Sequence, residues 1–393
     1  MTDKELVKLL IDNTNDLKTQ KLLASLGYYP EYFMYSDSQD VRAEVAKRGY
    51  GLDVLVNDYS PTVRAAVAYI GQYLDVLVND KNPYVRQTVA QWEQYADKLS
   101  KDENAGVRWV VARNGFCLDT LVHDENAEVR LEVAKRGYGL DILVNDEDED
   151  VRLEVAKQGY GLDILVHDKD HIVRREVAEH GYGLDILVHD SAAYVRSMVA
   201  HRGYGLDILV HDDFYDVRKA VAEEGYGLDV LVNDESLWVR GAVAQQGYGL
   251  NILVHDKDSL VRRYVADQGY GLDILVNDDC SDVRAAVARQ GYGLDVLAND
   301  DNPFVRRAVA EQGYRLDTLI VDCDSLVRLP AASKANNLMA LVDDSDSSVR
   351  YKVAEEEHCP EDVLIELVND EDDCVRDAAY RKMRHLVYRK LFY

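Results

Sequence analysis

Histidine stands directly before aspartate at His123, His167, His189, His211 and His255. An imidazole beside a carboxylate can ligate a metal. Arginine recurs more regularly still: Val-Arg begins at Val41 and returns every 22 residues to Val349, fifteen times in phase. Evenly spaced guanidinium groups could grip phosphates. Six residues before an Arg stands an Asp, in fourteen in-phase copies from Asp58 to Asp344. Tyrosine recurs in the same phase at Tyr50 and from Tyr138 to Tyr314, a candidate stacking platform for a polymer. A second Asp row runs from Asp53 to Asp317 and breaks at Asn251 and Met339.

A period of this length, held this long, signals a solenoid. We number slots from the Val of Val-Arg as slot 1. Slots 1, 5 and 6 are Val, Val and Ala in most copies, the spacing of one helix face. Slot 20 carries capping residues such as Ser60, Asn82, Asn104 and Asp148. Proline at Pro61, Pro83 and Pro303 suits the first helical position. Glycine at slot 9, as in Gly137 and Gly159, suits a left-handed C-terminal cap. A first helix is therefore expected from slot 21 to about slot 8. Slots 12, 15 and 16 are Leu, Leu and Val, again helical spacing, so "GLDILV" is expected to form a 3₁₀ or one-turn α-helix and not a strand. In the last copy "CPEDVLIELVND" lengthens this element into a plain helix.

The pattern "D-x4-VR-x2-VA" followed by "L-x2-L-V-x-D", over about residues 19 to 376, resembles the leucine-rich repeat variant family and, more broadly, HEAT-like repeats. That resemblance implies an all-α fold, a right-handed solenoid of ~22-residue repeats alternating an α-helix with a short α/3₁₀ helix. It also implies an inter-repeat Asp–Arg ladder. The iron–sulfur cysteine cluster attached to some members is missing here. Three segments are expected: an N-terminal cap with one degenerate repeat over 1–40, fourteen 22-residue repeats over 41–348, and a final longer repeat with a basic capping helix over 349–393. The opening "MTDKELVKLLIDNTND" is amphipathic and acidic, unlike a signal peptide.

Stacking turns every slot into a row, which decides between the chemical readings. Helices in contact lie about 8–10 Å apart. Imidazoles in successive repeats are then too distant to share one zinc at about 2.0–2.1 Å. No metal site is expected, and the His/Asn alternation suggests donors to backbone carbonyls. Every Arg has an Asp nearby, so Asp58, Arg64, Asp146, Arg152, Asp190, Arg196, Asp234 and Arg240 are read as a structural ladder and not a phosphate grip. The Tyr row is read as an aromatic ladder beyond the Gly cap, and the second Asp row as first-turn acids that complement the helix dipole. Candidate acids recur in every repeat, the opposite of a unique active site. No catalytic residue and no cofactor is expected.

The 393 residues carry a net charge of −27, and 47% are apolar. That balance argues against direct binding of nucleic acid or anionic membrane, and against disorder. Five scattered cysteines without a CxxC pair fit reduced thiols in the cytoplasm. Partner-binding candidates are the large aromatics at variable slots, Trp92, Trp109, Tyr194, Tyr215, Trp238 and Phe304. Slots 3, 4, 7, 8, 19, 21 and 22 are read as free to vary, and Pro330, inside an expected helix, is expected to bend the array there. The leading function is a non-enzymatic scaffold binding a protein with a basic surface. The first alternative is a nucleic-acid mimic that inhibits a DNA- or RNA-binding protein such as a defence factor. About 17 units at ~9 Å each would carry one net charge per roughly 5–6 Å, against one per ~1.7 Å in duplex DNA. A HEAT-like enzyme or lyase is the remaining alternative.

Overall fold

Why a repeat forms its two helices can be followed in one copy. Asp148 sits extended at the N-cap and accepts hydrogen bonds from the Asp150 and Val151 amides, satisfying donors the first turn cannot. The helix Glu149–Lys157 then buries Val151, Arg152, Val155 and Ala156 on one face. Gly159 ends it in the left-handed region at φ 72°. Its N–H bonds to the Ala156 carbonyl at 2.8 Å and the Tyr160 N–H reaches back to Val155 at 3.3 Å, the paired bonds of a Schellman cap. A second left-handed glycine, Gly161, opens the one-turn helix Leu162–Leu165. Leu165 and the following Val166 are buried, while Asp163 and Ile164 face solvent.

The computed structural model describes residues 17–392, and side chains as far as 386. The amphipathic opening, 1–16, lies outside the described residues. The chain forms two compact units, one up to Leu187 and one from Val188 onward. Each is an all-α solenoid in which a nine-residue helix alternates with a four-residue one, and no strand occurs among the described residues. The nine-residue helices stack on one another, and each short helix packs against the long helix that follows it. The core of each unit is a continuous file of Val, Val, Ala, Leu and Val from successive repeats, with no centre of its own.

The second glycine of "GYG" holds neighbouring repeats together. A Cβ on Gly161 would lie 2.5 Å from Val144 Cγ2 of the preceding repeat, and the same near-contact recurs from Gly139 to Gly293. Backbone thus packs directly on a valine side chain. Three phased copies put another residue there at positive φ: Tyr73 (55°), Cys117 (50°) and Arg315 (49°).

The irregular copies keep the order of elements but change their lengths. "QWEQYADKLSKD" forms a 3₁₀ turn, Glu93–Tyr95, and a short helix, Ala96–Leu99. Pro330 does not end its helix. Ser325–Ala335 runs through the proline to eleven residues, because its copy lacks the slot 9 glycine, and stops at left-handed Asn336. At the end, Ser347–Glu355 is followed by Glu361–Leu367 and the long helix Asp373–Phe392. That last helix buries Val375, Ala378 and Ala379 against them.

The two glycine positions should differ in cost. Gly203→Ala places a Cβ in open space, so it meets only the left-handed penalty of about 1–2 kcal/mol. Gly205→Ala adds a Cβ 2.5 Å from Val188 Cγ2, and overpacking should add about 1–3 kcal/mol more. Urea titration followed by circular dichroism should rank them so, and Val188→Ala should recover much of the second loss.

Candidate interaction surfaces

The Arg row and its Asp row build one connected lattice. In the first unit Arg130 donates from Nε and Nη2 to the two carboxylate oxygens of Asp146, at 2.6 and 2.8 Å. Its Nη1 donates to the backbone carbonyl of Asp124 at 2.8 Å. The bidentate rung recurs from Arg42–Asp58 to Arg152–Asp168, and in the second unit from Arg196–Asp212 to Arg350–Asp370. The carboxylate therefore pairs with the Arg sixteen residues earlier in the regular copies. The Arg six residues later takes only the backbone carbonyl: Arg64 on Asp58, Arg152 on Asp146, Arg196 on Asp190 and Arg240 on Asp234. One carboxylate oxygen also accepts the backbone N–H two residues on, as Asp146 does from Asp148.

These rungs are buried. The aspartates of the rungs at Arg130, Arg152 and Arg240 expose only 6%, 5% and 6% of their side chains. Burial pushes the Asp212 and Asp256 carboxyls up, but hydrogen bonds from Arg196 and Arg240 and from the turn amides outweigh it and hold both below the usual carboxylate range. Donation to the Asp212 carboxylate in turn holds the Arg196 guanidinium above its ordinary value, against the opposing effect of burial.

A second inter-repeat row was not legible as such. Slot 8, expected to vary freely, carries side-chain donors to the helix C-terminal carbonyls of the preceding repeat. Gln246 reaches Glu223 O at 2.7 Å, Gln290 reaches Asp267 O at 3.0 Å and Gln312 reaches Arg289 O at 2.9 Å. Trp92 occupies the same slot. Its indole N–H donates to Ala68 O at 3.0 Å and its ring covers Gly71, so it clamps two repeats together. The recurrence of Gln at slot 8 was the signal in the sequence.

The other aromatic candidates fall on the surface. Tyr194, Trp238 and Phe304 share slot 22 in the first turn of three helices of the second unit and are 68%, 48% and 54% exposed. Tyr215 opens its helix and is exposed. Trp109 is half-buried in the first unit, with the Arg113 guanidinium 5.1 Å from its ring centroid. In the slot before the ladder aspartate, His167 and its counterparts face solvent. Asn79 and Asn299, which take the same slot, donate to the carbonyls of Asp75 and Asp295 at 3.4 and 3.5 Å. The slot 13 row, Asp53 to Asp317, is exposed throughout. A further set of acids follows the ladder aspartates, including Glu147, Glu235 and Asp301, each at least 85% exposed. Among the described residues no helix is long and apolar enough to cross a membrane.

No protein-family model matches the chain. No curated protein matches it either. Among solved structures it is similar to Kap121p, at 12% identity and a TM-score of 0.28, over 97% of this chain and 49% of that one. It is likewise similar to Kap121p bound to Ste12p and to Kap121p bound to RanGTP, each at 13% identity and a TM-score of 0.27, over 97% and 98% of this chain. These matches cover 47% and 49% of those chains, so the chain spans about half the length of the structures it matches. At these values the likeness carries no inference about this chain, and the fold rests on its own helices.

Arg196→Ala removes three donors and strands the buried Asp212 carboxylate, so it should destabilise by about 3 kcal/mol in a urea titration. Lys169→Ala removes one exposed bond to Glu147 O and should change the midpoint little. The depressed carboxyls also set a pH window. Their stabilisation is present above the unfolded aspartate value of about 3.9 and is lost as pH falls through the lower folded value. The urea midpoint measured against pH should thus hold from neutrality to about pH 5 and then drop steeply below about pH 4.

Proposed function

We propose that the chain is a non-enzymatic scaffold that binds a protein partner through an acidic surface, in the cytoplasm, with exposed aromatics fixing the choice of partner. The observation that carries this reading is the buried Arg–Asp lattice. Each rung cancels its own charge, so the net −27 resides on the remaining side chains, the exposed Asp row at slot 13 among them. The ladder arginines have their donors directed to carboxylates and carbonyls, which leaves them unsuited to gripping phosphates. A basic protein surface is the complement of such a field. Charge of this kind speeds encounter, while buried anchors lengthen the life of the complex. Tyr194, Trp238 and Phe304 are the anchors proposed in the second unit, with the acids Asp216 and Asp282 in the same slot of intervening repeats. The mimic reading loses its densest acid row, because the ladder aspartates are buried and neutralised.

Capture from the native cell on immobilised full-length chain tests the reading, with proteins eluted by a salt gradient and identified by mass spectrometry. The expected partner is basic and elutes as salt rises beyond ~0.15 M, where the Debye length is about 8 Å. On that purified partner, Trp238→Ala should leave the association rate unchanged and raise the dissociation rate roughly tenfold, equivalent to about 1.4 kcal/mol. A partner retained equally at 1 M salt overturns electrostatic recognition. Competition by duplex DNA for a nucleic-acid-binding partner would put the mimic in place of the plain scaffold.

A further inference from the structure

Three consecutive helices of the first unit, Pro61–Tyr69, Pro83–Val89 and Ala105–Arg113, carry a groove of about 390 Å³ on the face away from the core. Its floor is small, formed by the buried Ala65, Ala66 and Thr88. Tyr69, Tyr84 and Trp109 line it, and Arg113 stands at its edge. The volume is in the range of sites that enclose a ligand group, which is ~300–1,000 Å³.

The charge of this window is unlike that of the chain around it. Slots 22, 3, 4 and 7 of these three copies contain no acidic residue. The next two copies place Glu128, Glu132, Asp150 and Glu154 at the same slots. Of the two cations lining the groove, Lys47 is bridged to Glu44 at 2.9 Å. Arg113 has no hydrogen bond or ion pair from its guanidinium among the described residues. It lies over the Trp109 ring, which fixes its plane and leaves its N–H groups open. The Gln87 and Gln91 side-chain amides, also lining the groove, have no hydrogen-bond partner among the described residues.

We propose that this groove docks an extended segment of a protein partner that presents an aromatic or leucine-sized side chain with a carboxylate close by. The side chain fills the space above Ala65, Ala66 and Thr88, between the aromatic walls. The carboxylate takes the open donors of Arg113 in a bidentate pair. The unengaged amides of Gln87 and Gln91 offer a donor and an acceptor to the peptide groups of the segment. The −27 of the whole chain does not exclude such a segment, because charges beyond ~8 Å are screened at physiological salt. This site is separate from the basic-partner surface proposed above and stands or falls without it.

A peptide array tests the proposal. Octapeptides with a Phe, Trp, Leu or Ala centre, each followed by Asp-Glu, Lys-Lys or Ser-Ser, are probed with the labelled full-length chain, and the best are measured by fluorescence anisotropy. Aromatic and Leu centres followed by Asp-Glu are expected to bind at least tenfold more tightly than the Ala-centred or Lys-Lys versions. Arg113→Ala, at an exposed side chain whose loss leaves the core intact, should weaken that binding about tenfold. Thr62→Trp, which fills the groove from an exposed position, should do the same. Circular dichroism should show both variants folded. Equal binding of Lys-Lys and Asp-Glu peptides, no binding of any member, or binding unchanged by both variants would overturn the proposal. None of these results bears on the salt-dependent partner of the second unit.

Discussion

Every regular repeat depends on one aspartate being used twice. The carboxylate of Asp146 receives the guanidinium of Arg130, from the preceding long helix, while its backbone carbonyl receives Arg152, from the long helix that follows. A third bond, from the Asp148 amide, orients the turn that caps the next helix. The residue thus ties together two successive long helices and the turn that leads into the second. This sets the spacing. A loop longer or shorter by one residue would move either the carboxylate or the carbonyl off its arginine. The one rung that spans a longer stretch, Arg350–Asp370, does so where the short helix is itself lengthened to Glu361–Leu367.

Close packing reinforces the lattice. The glycine that opens the regular short helices from Gly139 to Gly293 lets the backbone approach the valine of the preceding repeat more closely than a Cβ would allow. The slot 8 amides close helix ends that would otherwise be left unsatisfied. Register is therefore fixed by a charged network, a steric contact and a neutral hydrogen bond at three different points. The surface is left free to vary, and the acid-free window and the aromatic slot 22 positions show how differently two stretches of one scaffold can be furnished.

The elements were legible because their signals are local. The 22-residue phase, the Asn and Asp caps at slot 20 and the Gly at slot 9 each act within a few residues of where they stand, and the helices begin and end there, although Ser60 makes no capping bond and donates to Gln39 instead. What the sequence obscured was which residue meets which across repeats. Asp58 and Arg64 look like a pair because they are six apart, yet the Asp58 carboxylate faces Arg42, and Arg64 takes only the Asp58 backbone carbonyl while its own carboxylate partner is Asp80. Chain proximity misled there because the Asp58 carboxylate is turned toward Arg42 of the preceding long helix, which leaves only its backbone carbonyl to Arg64. Trp92 was read as a partner anchor for its size, but the slot it shares with the glutamines makes it an inter-repeat clamp. The groove was invisible in sequence, since it arises from the small residues Ala65, Ala66 and Thr88 that pattern reading treats as unremarkable filler.

Near-identity of the rungs also makes the chain ambiguous to itself while it folds. An arginine emerging from the unfolded state finds the same aspartate, in the same local sequence, at every multiple of the period. A hairpin that closes one repeat out of step would satisfy the same three bonds as the native one. The native count can be enforced only where copies are unlike, as at Trp92 with its reach to Ala68, at the extended helix through Pro330, and at the long helix Asp373–Phe392. The irregular copies thus serve as landmarks that let a repetitive chain find its place along its own length.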